Sequence, residues 1–222
     1  MSPGMPVTAA TRQAPHGGPL IGLVSDSHGR VETIAAALKY LKAERCGNLY
    51  HLGDICDSLH PESADACVEL LRNYQVKSVK GNNDHSIVVN QAGRKTPSIK
   101  PETLDYLKRL PLVIQSGRMV MAHSLPFENE LGLSCMVGAM HHHHARHFFH
   151  RFADGILFRG HSHSPEITWQ DHGGTMLSEN ILAGQTIGIT ERTPCIVTCG
   201  ALDLSLCMIW SPETNSISCR KF

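Results

Sequence analysis

Apolar positions along the chain come first in blocks separated by helical stretches and later in closely spaced short runs. Residues 20–25 form a run that is apolar around Gly22, the pattern of a strand buried on both faces. Val31, Ile34, Ala35, Leu38 and Leu41 then recur at helical spacing up to Gly47, where a helix would stop. Residues 48–52 predict a second short strand. Pro61, Glu62 and Ser63 open a second helix, with proline in the first turn and an acid placed to suit the helix dipole; Val68, Leu70 and Leu71 supply its apolar face. Residues 75–80 predict a third strand. Residues 101–110 predict a short helix with proline at both ends, and Leu104, Tyr106 and Leu107 facing inward. The pattern then turns to strands: 112–115 and 118–122 joined at Ser116-Gly117, followed by 156–159, 166–170, 175–177, 195–198, 204–210 and 216–219. The order is βαβαβα and then mostly β, with no internal repeat.

A chain of 222 residues is long enough for one domain with a sizeable core. Residues 1–19, rich in Pro and Gly, read as a disordered leader, and residues 20–222 as the single domain. Twenty basic and twenty acidic residues cancel, so no whole-molecule field recruits nucleic acid or an anionic membrane. No apolar run approaches the length that spans a bilayer, and residues 1–19 lack the apolar centre of a secretory signal. A soluble, cytoplasmic protein is expected. The eight cysteines are scattered, several within strand-like runs and none in a Cys-x-x-Cys pair, so reduced and buried thiols are expected rather than disulfides or a structural zinc site.

Fifteen histidines change the picture, because neutral imidazole is the commonest protein metal ligand. The first strand runs into Asp26-Ser27-His28 and the second into Gly53-Asp54-Ile55-Cys56-Asp57. The third ends in Gly81-Asn82-Asn83-Asp84-His85. His123 closes the run at 118–122, and Gly160-His161-Ser162-His163 follows 156–159. Open α/β sheets bind ligands at such strand ends. Asp26, His28, Asp54, Asn82, His123, His161 and His163 thus offer seven donors, enough for two adjacent divalent cations if one carboxylate bridges them. Short motifs recur by chance; their placement directly after apolar strands carries the reading.

The ordered series Asp-x-His, Gly-Asp-x-x-Asp, Gly-Asn, His and Gly-His-x-His, spread over residues 20 to 165, resembles the calcineurin-like metallophosphoesterase family, and within it the small bacterial and archaeal phosphodiesterases. The resemblance implies an α/β fold, a four-layer α/β/β/α sandwich of two mixed sheets flanked by helices. It implies that Asp26, His28, Asp54 and His163 hold one metal and Asp54, Asn82, His123 and His161 the other, with Asp54 bridging. Two departures stand out. Asn83 occupies the place where many members have a histidine near the leaving group, and an amide can donate a hydrogen bond without delivering a proton at neutral pH. Ser124 stands where the family usually has Gly after the single His.

The chemistry expected is hydrolysis of a small phosphorylated substrate through a metal-bridging hydroxide, with Asp54, Asn83 and His85 as candidate catalytic residues and His85 the nearest acid by sequence. A donor set mixing carboxylates, an amide and imidazoles suits Mn, Fe, Zn or Ni better than an all-oxygen Ca or Mg site. A phosphodiesterase comes first. A phosphomonoesterase or pyrophosphohydrolase is the alternative, and a non-catalytic metal-binding scaffold of the same fold is the rival from another class, although such a scaffold would be expected to have lost ligands. Zero net charge and the lack of a basic stripe argue against nucleic acid as partner; a homo-oligomer stays open.

Residues 124–154 form a His-rich insert or lid. His143, His147 and His150 would share one helical face, as a third metal site, a proton-donating lid or a solvated surface helix, the last favoured because compositional tracts are weak functional evidence. Asp57 is expected either to support an imidazole or to form its turn, and His51 and His60, which flank the Asp54 loop, to pack or cap.

Overall fold

Strand β1 (Ile21–Val24) is buried along its whole length because it lies in the middle of a sheet that is covered on both faces. The computed structural model describes residues 19–92, 94 and 98–222, so the expected leader, apart from Pro19, lies outside the described residues. Helix α1 (Val31–Ala43) buries Ile34, Leu38 and Leu41 as the spacing predicts, with Ala37 in place of Ala35, which is half-buried like Val31. It ends before Gly47: Arg45 takes the left-handed conformation at φ 61°, and the Cys46 N–H donates to the Leu41 carbonyl. β2 (Asn48–His51) follows, and a 3-10 turn at Pro61–Ser63 leads into α2 (Ala64–Asn73).

β3 (Lys77–Ser78) is much shorter than the predicted third strand, because the Lys80 N–H leaves the sheet to donate to the Pro111 carbonyl. Directly after it comes α3 (Asn82–Gln91), a helix that the apolar spacing did not reveal: only Asp84, Ile87 and Gln91 are buried along it. Its start places the Gly81-Asn82-Asn83 segment on a helix terminus rather than in a loop. α4 (Pro101–Arg109) matches expectation, and so does the hairpin of β4 (Val113–Ser116) and β5 (Met119–Ala122).

Residues 124–154 contain a short α5 (Glu128–Leu131), a 3-10 turn at Gly132–Met136 and α6 (His142–Arg151). Leu125, Phe127, Met136, Ala145, Phe148 and Phe149 are buried beneath them, so the segment forms a packed layer. The later strands are β6 (Ile156–Arg159), β7 (Glu166–Gln170), β8 (Met176–Asn180), β9 (Thr186–Gly188), β10 (Cys195–Thr198), β11 (Leu206–Ser211) and β12 (Ser216–Lys221). β9 is an edge strand with one buried side chain, Ile187, too little pattern to read in advance. The strand expected at 204–210 begins only at Leu206, after a 3-10 turn at Leu202–Leu204 that ends on a left-handed Ser205.

Two six-stranded mixed sheets result, in the orders β3-β2-β1-β11-β12-β9 and β4-β5-β6-β10-β7-β8. One core lies under α1, α2 and α4, a second between the sheets and a third under α6, which together make the four-layer α/β/β/α sandwich. All eight cysteines are free and buried. Among the described residues no helix is long and apolar enough to cross a membrane.

Candidate metal centre

The carboxyl ends of β1 and β2 in the first sheet and of β5 and β6 in the second meet at one edge of the sandwich, and the segment after β3 joins them. Asp26, at the end of β1, is wholly buried and accepts hydrogen bonds from the Ser25 hydroxyl and from the His161 N–H at 3.0 Å. The Asp26 N–H donates to the Gly53 carbonyl, and the N–H groups of Ser27 and His28 both donate to the carbonyl of Asp54. Two strand-end loops are thereby laced together through backbone before any side chain is considered.

Five of the seven expected ligands sit in left-handed backbone: Asp26 at φ 54°, His28 at 44°, Asp54 at 54°, His161 at 67° and His163 at 59°. None is glycine, and each such conformation costs about 1–3 kcal/mol unless the surroundings impose it. The sequence shows no sign of this strain, since the residue types are ordinary turn formers.

The side chains gather as two groups. Nε2 of His28 and Nε2 of His163 face each other at 3.3 Å, with Asp26 Oδ1 3.6 Å from the latter. Nε2 of His123 lies 3.2 Å from Nδ1 of His161, 3.1 Å from Oδ1 of Asn82 and 3.6 Å from Oδ1 of Asp54. Among the described residues, those able to bring three ligand atoms together are Asp26, His28 and His163, and Asp26, Asp54 and His123. Asp26 is common to both, whereas the resemblance implies that Asp54 is shared. Nitrogens converging in facing pairs beside two buried carboxylates form a donor set that fits divalent cations of the borderline class.

Electrostatics favour the ligand form of His161. Burial, followed by the neighbouring His123, holds His161 below its ordinary value, so it stays neutral with a free lone pair. His123 Nδ1 lies 2.9 Å from the Leu52 carbonyl, which takes the ring proton and leaves Nε2 for the centre. Glycine at 81 is required sterically: a Cβ there would collide with the backbone nitrogen and Oδ1 of Asp54.

Asn83, on the first turn of α3, donates its N–H to Oδ1 of Asp54 at 2.8 Å and its Nδ2 to Oδ2 at 2.7 Å, while its own Oδ1 accepts from the Ser58 hydroxyl at 2.7 Å. Its amide is thus committed to holding Asp54. His85 is half-buried three residues after Asn82, on the same helix face. Asp57 forms its turn, accepting from the Leu59 N–H. His51 is fully buried with Nε2 on the Ser27 hydroxyl at 2.9 Å. Ser124 donates to the Gly138 carbonyl and anchors the segment that follows.

Among the described residues the histidine tract forms no third metal cluster, although His141 and His142 line the cavity beside His161. His143 and His144 pair with each other at 3.0 Å, and His147 lies 3.9 Å from Glu130.

Three residues escaped the sequence reading. Asp203, beyond β10, lies 3.4 Å from Nδ1 of His163. Asp84 is fully buried, accepts from the N–H groups of Gly81 and Cys56, and is raised well above the ordinary carboxylate range by burial and then by Asp54. Arg159 is a guanidinium inside β6, and a charged residue within an apolar strand was the signal available for it.

Residues 20–197 match the calcineurin-like phosphoesterase superfamily domain. An uncharacterized protein of Methanocaldococcus jannaschii is 26% identical over 182 residues, 72% of this chain and 68% of that protein. The crystal structure of a metallophosphoesterase from Sphaerobacter thermophilus superposes with a TM-score of 0.71 at 21% identity, covering 91% of this chain and 87% of that one. A protein serine/threonine phosphatase of Saccharomyces cerevisiae superposes with a TM-score of 0.51 at 12% identity, over 92% and 79% of the respective chains. The match spans most of the chain and includes every strand end that contributes to the centre, and it makes this protein a member of the calcineurin-like phosphoesterase superfamily, a metal-dependent phosphoesterase.

Proposed function

We propose that the protein hydrolyses phosphodiesters with two divalent transition-metal ions, held by Asp26, His28, Asp54, Asn82, His123, His161 and His163. His28 and His163 with Asp26 would hold one ion, and Asn82, His123 and His161 the other, with the Asp54 carboxylate between them. The observation that carries this reading is the convergence of donors from distant segments: Nε2 of His28 and of His163 at 3.3 Å beside Asp26, and Nε2 of His123 within 3.2 Å of Asn82 Oδ1 and His161 Nδ1 beside Asp54. Such ions, when bound, lower the pKa of water toward neutrality and neutralise charge on a phosphoryl group. Mn, Fe, Zn and Ni all suit the donors.

The chain's own residues hold and orient. Asn83 fixes both oxygens of Asp54, His161 stays neutral through burial, and the loops after β1 and β2 lock each other through backbone bonds. A diester comes first because Asn83, and not a histidine, follows Asn82, as in the small phosphodiesterases that the motif series resembles; the cavity of about 610 Å³ beside His161 has room for an ester alcohol.

The test is metal analysis of the purified protein, followed by reconstitution and assay on aryl phosphate mono- and diesters. Diester hydrolysis that requires metal and is lost in Asp54→Asn is expected. Metal-loaded protein that stays inert on both classes would show a binding scaffold instead.

A further inference from the structure

The outer face of the second sheet turns polar beside α6 and is partly open there, with Glu166 and Thr168 half-buried and Ser162 and Ser178 exposed. Strand register sets Arg159, Thr198 and Glu166 side by side across β6, β10 and β7, and sets Ile196, Thr168 and Ser178 in the next row across β10, β7 and β8. The intervening residues Phe158, Val197 and Ile167 point the other way, into the core between the sheets. A sheet face covered by a helix normally carries apolar side chains, and beneath α6 it does so with Val120, Leu157 and Ile196. Beyond α6 the covering layer stops short, and the cavity of about 610 Å³ lies between its first turn and the polar rows. His161, from the metal centre, stands in its wall.

The groups in this cavity are arranged by what they can give. Arg159, 3% exposed, donates to the Ser124 carbonyl, the Ser124 and Ser162 hydroxyls at 3.0 Å each and the Thr198 hydroxyl at 3.2 Å, all neutral acceptors. A guanidinium only donates, so Ser162 and Thr198 keep their own O–H groups for another acceptor. At the other end, the Thr168 hydroxyl lies 3.0 Å from Glu166 Oε1 and 2.8 Å from the Ser178 hydroxyl, and the second Glu166 oxygen is left as an acceptor. Donors near the metal centre and acceptors farther out match a group bearing several hydroxyls, each of which both gives and takes a hydrogen bond. Met140, Ile196 and Val137 provide an aliphatic wall, and among the described residues the rings that line the cavity are the imidazoles of His141, His142 and His161.

We propose that this cavity binds the ester alcohol of the substrate, and that the alcohol is polyhydroxylated, a sugar or polyol. The assignment rests on the hydrolytic reading above. It is tested with two p-nitrophenyl phosphodiesters that share a leaving group, one carrying glucose through its 6-hydroxyl and the other cyclohexylmethanol, similar in size without the hydroxyls. The metal-loaded full chain should show a kcat/KM at least about tenfold higher for the glucose ester, because a site built to bond hydroxyls rejects the analogue that lacks them. The double variant T168V/S178A should lose most of that preference through a fall in kcat/KM for the glucose ester. Its metal content and circular dichroism spectrum are the checks on metal loading and folding. Equal rates on the two esters, or a glucose preference that survives in the variant, would overturn the cavity assignment and leave the hydrolytic reading intact. Inactivity of metal-loaded protein on both esters would overturn the hydrolytic reading and this assignment with it.

Discussion

The carboxylate of Asp203 lies 3.4 Å from Nδ1 of His163, and the opposite ring nitrogen, Nε2, lies 3.6 Å from Asp26 Oδ1. A carboxylate behind a histidine fixes its tautomer and its aim, so Asp203 acts on the metal centre through His163. Its other oxygen, Oδ1, is buried without a hydrogen-bond partner among the described residues. Asp203→Asn is expected to lower metal affinity by about 10–100-fold. A titration of metal against a chelating dye measures this without reference to turnover, and an unchanged affinity would remove Asp203 from the centre.

Asn83 spends its N–H and its amide on Asp54, so it delivers no proton to a departing alkoxide. The rate should therefore fall steeply as the leaving-group pKa rises, with aryl diesters turned over much faster than simple alkyl ones. A series of substituted phenyl diesters, under conditions where chemistry limits turnover, gives the slope. A flat dependence would point to an acid elsewhere, with His85 the first position to replace.

Gly81 packs so closely on Asp54 that a methyl group would displace the carboxylate it supports. Gly81→Ala should cost about 1–3 kcal/mol, the usual range for overpacking, and should reduce metal binding as well. Gly188→Ala is the matched control, since nothing lies within 4 Å of its added carbon. Urea unfolding of both variants decides the matter; equal effects would mean that the Gly81 contact relaxes without consequence.

His51 is buried, and that burial pulls its pKa down to about 3 from an ordinary 6.5. The unfolded chain therefore takes up a proton in a range where the folded protein does not, and stability falls as the pH drops from 6.5 toward 3. His51→Gln should flatten this part of the stability profile by up to a few kcal/mol, and should be less stable than the parent near pH 8, where the parent keeps its Ser27 bond at no protonation cost. Unfolding in chelator across pH 5–8 compares the two; parallel profiles would exclude His51 as a source of acid sensitivity.

The sequence by itself determined the donors and their order. Apolar runs of period two or buried continuity locate β1, β2, β5 and β6, and Asp26, His28, Asp54, Asn82, His123, His161 and His163 lie just beyond strands or strand-like runs, because a strand emerging from a core must end in polar chain. Periodicity gave the order βαβαβα and then mostly β, while the layered α/β/β/α plan followed from the family resemblance that the ordered motifs carry. What only the tertiary structure decided has no local signature. The left-handed backbone at Asp26, Asp54 and His161 is imposed by loops that bond across the centre, and α3 begins where it does because Asp84 is buried against the Asp54 loop. Asp203 supports His163 from forty residues farther along the chain, and Arg159 meets Thr198 only through strand pairing. Periodicity reports which face of an element is buried, whereas the partner waiting on that face is chosen by how distant segments pack.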